Sequence, residues 1–149
     1  MKRFSKLVFT AALVMCSGLA IAGAAADAVE IEGLYVRAVP PGQPNSAAFL
    51  TLRNTASRDH ALVGGETVAA EVVELHSHVA EGGMVRMRRV DRIELPAGQE
   101  VTLKPGGFHL MLIGLKQSLT PGEEVAFELE FADGSRKVLR APVQKIKTM

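Results

Sequence analysis

The residues able to do chemistry gather in one stretch, Glu71 to Leu115. It holds His76, His78 and His109, three of the four histidines, and Met84, Met87 and Met111, every internal methionine outside the N-terminal leader. Neutral imidazole and thioether groups together suit a soft, low-valent metal, with Cu(I) the first candidate, and they disfavour hard Mg²⁺ or Ca²⁺. The only cysteine, Cys16, lies in the leader, so a processed chain carries no thiol. Disulfides and a thiolate-ligated blue-copper centre are thereby excluded. Metal binding should weaken at low pH as the imidazoles protonate, while the thioethers are indifferent.

Strands must position these groups. Residues two apart on a strand share a face, so His109 and Met111 project together, as do His76 and His78. A four-residue loop at Ala80 to Gly83 would set His76 opposite Met87, with Cβ atoms about 5 Å apart. The patterns then conflict. Val73 and Leu75 inward would send His76 outward, yet Val85 and Met87, alternating with Arg86 and Arg88, would turn Met87 inward. Since paired residues share a face, a bulge or a site at the rim is expected. Met84, of opposite parity to Met87, is assigned to the core.

From Val29 onward the chain shows short alternating or apolar runs and no amphipathic helix. Strands are expected at Ile31–Ala38, Ala47–Asn54, Ala61–Gly64, Val72–Val79, Met84–Val90, Glu100–Leu103, Phe108–Gly114, Val125–Phe131 and Lys137–Ala141. This gives an all-β, antiparallel sandwich of about eight to nine strands, cupredoxin-like or immunoglobulin-like. Turns are marked by Pro40-Pro41-Gly42, Pro96-Ala97-Gly98, Lys104-Pro105-Gly106-Gly107 and Thr120-Pro121-Gly122, and Asp133-Gly134 marks the clearest hairpin. Thr67 to Ala70 reads as a helical turn, and Gln144 to Met149 as a frayed tail.

Lys2, Arg3 and Lys6, an apolar run from Leu7 to Ala22 and the small residues to Ala26 have the order of a secretory signal peptide. The expected organisation is a leader at 1–26 and one domain at 27–149, exported to the periplasm and not inserted in the membrane after cleavage. Cleavage removes three of the 17 basic residues and none of the 16 acidic ones, leaving a net charge of about −2. Nothing in that balance favours a nucleic-acid partner. There is no tryptophan and a single tyrosine, Tyr35, so stacking platforms for bases or sugars are scarce.

The spacing His76, ten residues, Met87, twenty-one residues, His109-x-Met111 resembles the signature of the periplasmic copper(I) chaperones called the PCuAC family. Val36-Arg37-Ala38, Ser46-Ala47-Ala48-Phe49-Leu50, Arg86-Met87-Arg88, Leu95-Pro96-Ala97-Gly98 and Pro105 to Leu112 are similar as well, so the likeness spans nearly the whole domain. It implies a cupredoxin-like β-sandwich binding Cu(I) through His76, Met87, His109 and Met111. The implied partner is a copper-receiving protein such as the cytochrome c oxidase subunit that carries CuA. Members often have methionines just after the first histidine, where this chain has His78, Val79 and Ala80, and some have a Met- and His-rich tail, where only Met149 stands. His78 is therefore an accessory candidate, and Cu(II), which welcomes imidazole, a second possible guest.

Transfer of an ion, not catalysis, fits these neutral ligands. The rival is a zinc site of His76, His78 and His109 with a hydrolytic or storage role, Glu74 or Glu81 serving as base or outer support. It leaves Met87 and Met111 without a task. A metal-free assembly module is a third reading, and the sequence does not fix oligomeric state.

Overall fold

The computed structural model describes residues 23–146. The signal-peptide expectation falls mainly on residues outside that range. One short helix, α1 (Ala25–Ala28), leads into ten strands: β1 (Val29–Arg37), β2 (Asn45–Asn54), β3 (His60–Thr67), β4 (Ala70–Glu81), β5 (Met84–Arg89), β6 (Ile93–Leu95), β7 (Glu100–Leu103), β8 (His109–Leu115), β9 (Glu124–Phe131) and β10 (Arg136–Gln144).

All nine expected strands are present, with ends displaced by a few residues. The tenth, β6, has three residues, too few for a period to be read. Thr67 to Ala70 is not helical. Thr67 ends β3, Ala70 begins β4, and the Thr67 hydroxyl accepts the Ala69 N–H and donates to Ala126 C=O across the sheet. The expected frayed tail begins too early as well, because Gln144 pairs with Arg37.

The strands form one sheet in the order β5-β4-β8-β2-β1-β10-β9-β3-β6, with β7 beside the second half of β2. Gly65 joins β3 to β4 opposite Val73, closing seven strands into a ring, so the architecture is barrel-like. A Cβ on Gly65 would lie 2.9 Å from the Glu128 carbonyl and 3.1 Å from the Phe127 ring, so closure at this corner requires glycine. The sheet is also mixed: β1 and β10 run parallel through Val36 and Val143. The first and last strands are thereby paired within the wall.

Alternating residues fill the barrel, among them Leu50, Leu52, Leu62, Leu75, Leu110, Leu112, Phe127, Leu129 and Phe131, all essentially without exposed surface. In β9 the register Val125, Phe127, Leu129, Phe131 inward is strict, as its burial pattern shows. β5 differs. It hangs on β4 outside the closed ring, and all six of its residues are exposed.

Candidate metal site on strands 4, 5 and 8

The site is built on three adjacent strands. His76 of β4 stands directly opposite His109 of β8, and Glu74 opposite Met111. On the other side of β4, His78 faces Met87 and His76 faces Arg89. Since cross-strand partners share a face, His76, His78, Met87, His109, Met111, Glu74 and Arg89 all lie on one side of the sheet. Leu75, Leu110 and Leu112 occupy the other side and anchor it in the core.

The expected register of the β4–β5 hairpin was two residues out. The turn is Gly82-Gly83, with φ of 57° and 79°, and Glu81 pairs with Met84. Both central residues of so tight a turn take positive φ, which two glycines adopt freely. His78, not His76, therefore sits across from Met87, and His76 is diagonal to it. The parity conflict also disappears, without a bulge: β5 has no buried side, so Val85 and Met87 show no inward face. Met84, assigned to the core by sequence, is 56 % exposed at the tip of this hairpin.

His109 is the buried member, 2 % exposed. Its Nδ1–H donates to the Gly107 carbonyl at 3.0 Å, leaving Nε2 with the lone pair. The ring centroid lies 5.1 Å from His78, 5.8 Å from His76 and 6.3 Å from Phe49. Burial holds the His109 pKa below the ordinary imidazole value, opposed by the Gly107 hydrogen bond and reinforced by the nearby His78, His76 and Arg37. The ring thus stays neutral, and able to bind a metal, at lower pH than a free histidine.

His76 donates from Nε2 to Glu74 Oε2 at 2.8 Å, and Glu74 Oε1 accepts from Arg89 at 3.2 Å. The Nδ1 atoms of His76 and His78 are both buried without a hydrogen-bond partner among the described residues. Such orphaned nitrogens are costly, and these two fit a metal ion as their partner. His78, Met87, His109 and Met111 line a cavity of about 180 Å³ with Arg37, Phe49 and Ile146, while His76 abuts it through His109. Ile146 and Phe49 are contributions that sequence spacing did not signal. Met87 is 47 % exposed, so the site opens at the free edge. His60, the fourth histidine, lies on β3 opposite Leu95 and takes no part.

The three histidines of the zinc alternative, His76, His78 and His109, share this same face, but Met87 and Met111 stand there with them. Glu81 is engaged by Arg88, and Glu74 by His76 and Arg89.

The family model described as "Putative lipoprotein LpqE-like" matches residues 29–143, nearly all of the described fold. The chain belongs to the LpqE-like family, the family of the PCuAC type. A relative from Leifsonia xyli subsp. xyli, "Putative lipoprotein Lxx21020", is 36 % identical over 123 residues, covering 82 % of this chain and 73 % of that one. The solution structure of CuI-DR1885 from Deinococcus radiodurans is 38 % identical, with a TM-score of 0.64 and 76 % of each chain covered. The copper-bound PCuAC domain from PmoF2, at 24 % identity, matches in fold with a TM-score of 0.68 over 80 % of this chain and 94 % of that domain.

Proposed function

We propose that this protein is an extracytoplasmic copper carrier that holds Cu(I) through His76, Met87, His109 and Met111 and hands it to a recipient protein. The observation that carries the reading is the assembly of two imidazoles and two thioethers on one face of β4, β5 and β8, with His76 Nδ1 buried and unpartnered among the described residues. Its likeness to a relative solved with Cu(I) supports the same ion here. Two thioethers and two neutral imidazoles add no negative charge, which favours the monovalent soft ion.

The gradient of exposure suits release. His109 is held by a backbone hydrogen bond in the core wall, Met111 is half-buried, and Met87 stands on a free edge strand. Met87 is the ligand a partner displaces first, after which incoming ligands exchange with those behind it. The recipient expected from the family likeness is the CuA-bearing subunit of cytochrome c oxidase, and the leader expected from the sequence would bring the two together in the periplasm. His78, across from Met87, supplies an additional imidazole when Cu(II) is bound.

The test is metal competition on the purified protein, with Cu(I) under anaerobic reducing conditions against Zn(II). Met87→Leu and Met111→Leu should each weaken Cu(I) binding by at least about tenfold, while His78→Ala changes it little, since loss of one ligand removes one metal bond from four. Stoichiometric Zn(II) binding indifferent to both methionine changes would sink the copper reading.

A further inference from the structure

The two histidines on β4 and β8 that face each other offer opposite ring nitrogens. A neutral imidazole has one N–H and one lone pair, so a hydrogen bond that fixes the proton on one nitrogen assigns the lone pair to the other. At His109 the Gly107 carbonyl takes the Nδ1 proton and leaves Nε2. At His76 a carboxylate, which only accepts, takes the Nε2 proton and leaves Nδ1, the buried atom without a partner. Resting on the copper reading above, we propose that Glu74 is the positioning residue that fixes His76 as an Nδ1 ligand and ties it to the strand bearing Met87.

Its place in the fold explains how. Glu74 precedes His76 by two residues on β4, so both side chains share the face of the site. Its other oxygen accepts from Arg89, which stands directly across from His76 on β5. One carboxylate thus orients the imidazole on β4 and grips the edge strand two residues beyond Met87. A carboxylate behind a metal-binding imidazole fixes its tautomer and raises its basicity, and losing such a support typically costs 10–100-fold in metal affinity. Direct ligation by Glu74 is the poorer use of this group, because both of its oxygens are already engaged and Cu(I) favours nitrogen and sulfur.

Ring-nitrogen NMR separates these roles. In long-range ¹H–¹⁵N spectra of the full chain without metal, His76 should be a single Nε2–H tautomer, and Cu(I) should move the Nδ1 signal of His76 and the Nε2 signal of His109. Glu74→Ala should let His76 populate both tautomers and weaken Cu(I) binding by about 10–100-fold, with the His109 signals unchanged. Glu74→Gln, whose amide oxygen still accepts a hydrogen bond from the His76 Nε2–H, should keep the tautomer and recover most of the affinity. An Nδ1–H tautomer at His76 in the parent protein, or a tautomer untouched by Glu74→Ala, would overturn the assignment. Should Glu74→Ala fail to fold, the parent spectrum and the glutamine variant decide. Cu(I) bound with His76 shifting at Nε2 would defeat the role of Glu74 alone, whereas no Cu(I) binding by the parent would defeat the copper reading itself.

Discussion

His109 and Met87 lie at the two extremes of the site, one sealed and one open, and each has a measurable consequence. Burial lowers the His109 pKa, so the unfolded chain takes up its proton at about pH 6.5 while the folded chain still resists it. The stability that the neutral ring contributes is full above about pH 6.5 and is lost as pH falls through the folded value. An NMR titration of the metal-free protein should therefore find the His109 midpoint below 6.5, and the unfolding temperature should fall with pH across the same window. A His109 midpoint above 6.5 would show that the ring is hydrated and that the core-wall position is wrong. The identity of the four main candidates was legible at this scale because His and Met are scarce here and their spacing is specific. The roles of individual nitrogens were not, since they depend on Gly107 and Glu74, whose contacts are set by how the strands pair.

Pairing is a property of elements, and it is where the sequence reading slipped. The alternation in β4 and β8 was plain, because both press Leu75, Leu110 and Leu112 into the core. Nothing of the kind marked β5, whose Val85 and Met87 alternate with arginines yet lie exposed on both faces. Hydrophobic alternation reports a buried face only where there is a core to meet it, so the same pattern misdirected Met84 and Met87. The length of the turn then set the register two residues away, and with it which histidine confronts Met87. The turn carries its own prediction. Replacing Gly83 by valine forces a branched side chain into positive φ, at a cost of roughly 1–2 kcal/mol, whereas Gly82→Asn suits the turn. Because β5 is outside the closed ring, the hairpin relieves this strain by opening locally, so Gly83→Val should lower Cu(I) affinity by several-fold while moving the global unfolding temperature by less than the full cost would. Equal affinity in both variants would mean that β5 does not need this register to offer Met87.

At the scale of the whole molecule, the sheet closes on itself, and the first described residues pack onto the closure. The alternating runs led to a sandwich of antiparallel strands, but a parallel pair and a corner at Gly65 are long-range facts that no local period encodes. The same closure bears on where the folded domain starts. Sequence places the boundary after Ala26, yet Ala25 is fully buried, its N–H donates to Asp133 Oδ2 at 2.7 Å, and Ala26 N–H donates to Ser135 Oγ at 3.0 Å. Lys137 also donates to the Ala26 carbonyl, so β10 and the turn before it both hold α1. Asp133, whose pKa is pulled down to about 2 chiefly by the Ser135 hydroxyl, remains a charged acceptor for that N–H at any physiological pH. A chain beginning at Asp27 lacks the Ala25 plug and these bonds, worth about 0.5–1.5 kcal/mol each. It should unfold several degrees below a chain beginning at Gly23, as a loss of 1–3 kcal/mol does in a domain of this size. Copper affinity should be the same in both. Along β2, the partner of Met111 is Ala47 and the residue beside α1 is Asn54, seven residues and roughly 23 Å away at the rise of a strand. Identical unfolding temperatures would show that α1 only rests on the barrel, and a difference in copper affinity would show that the two ends of β2 are coupled.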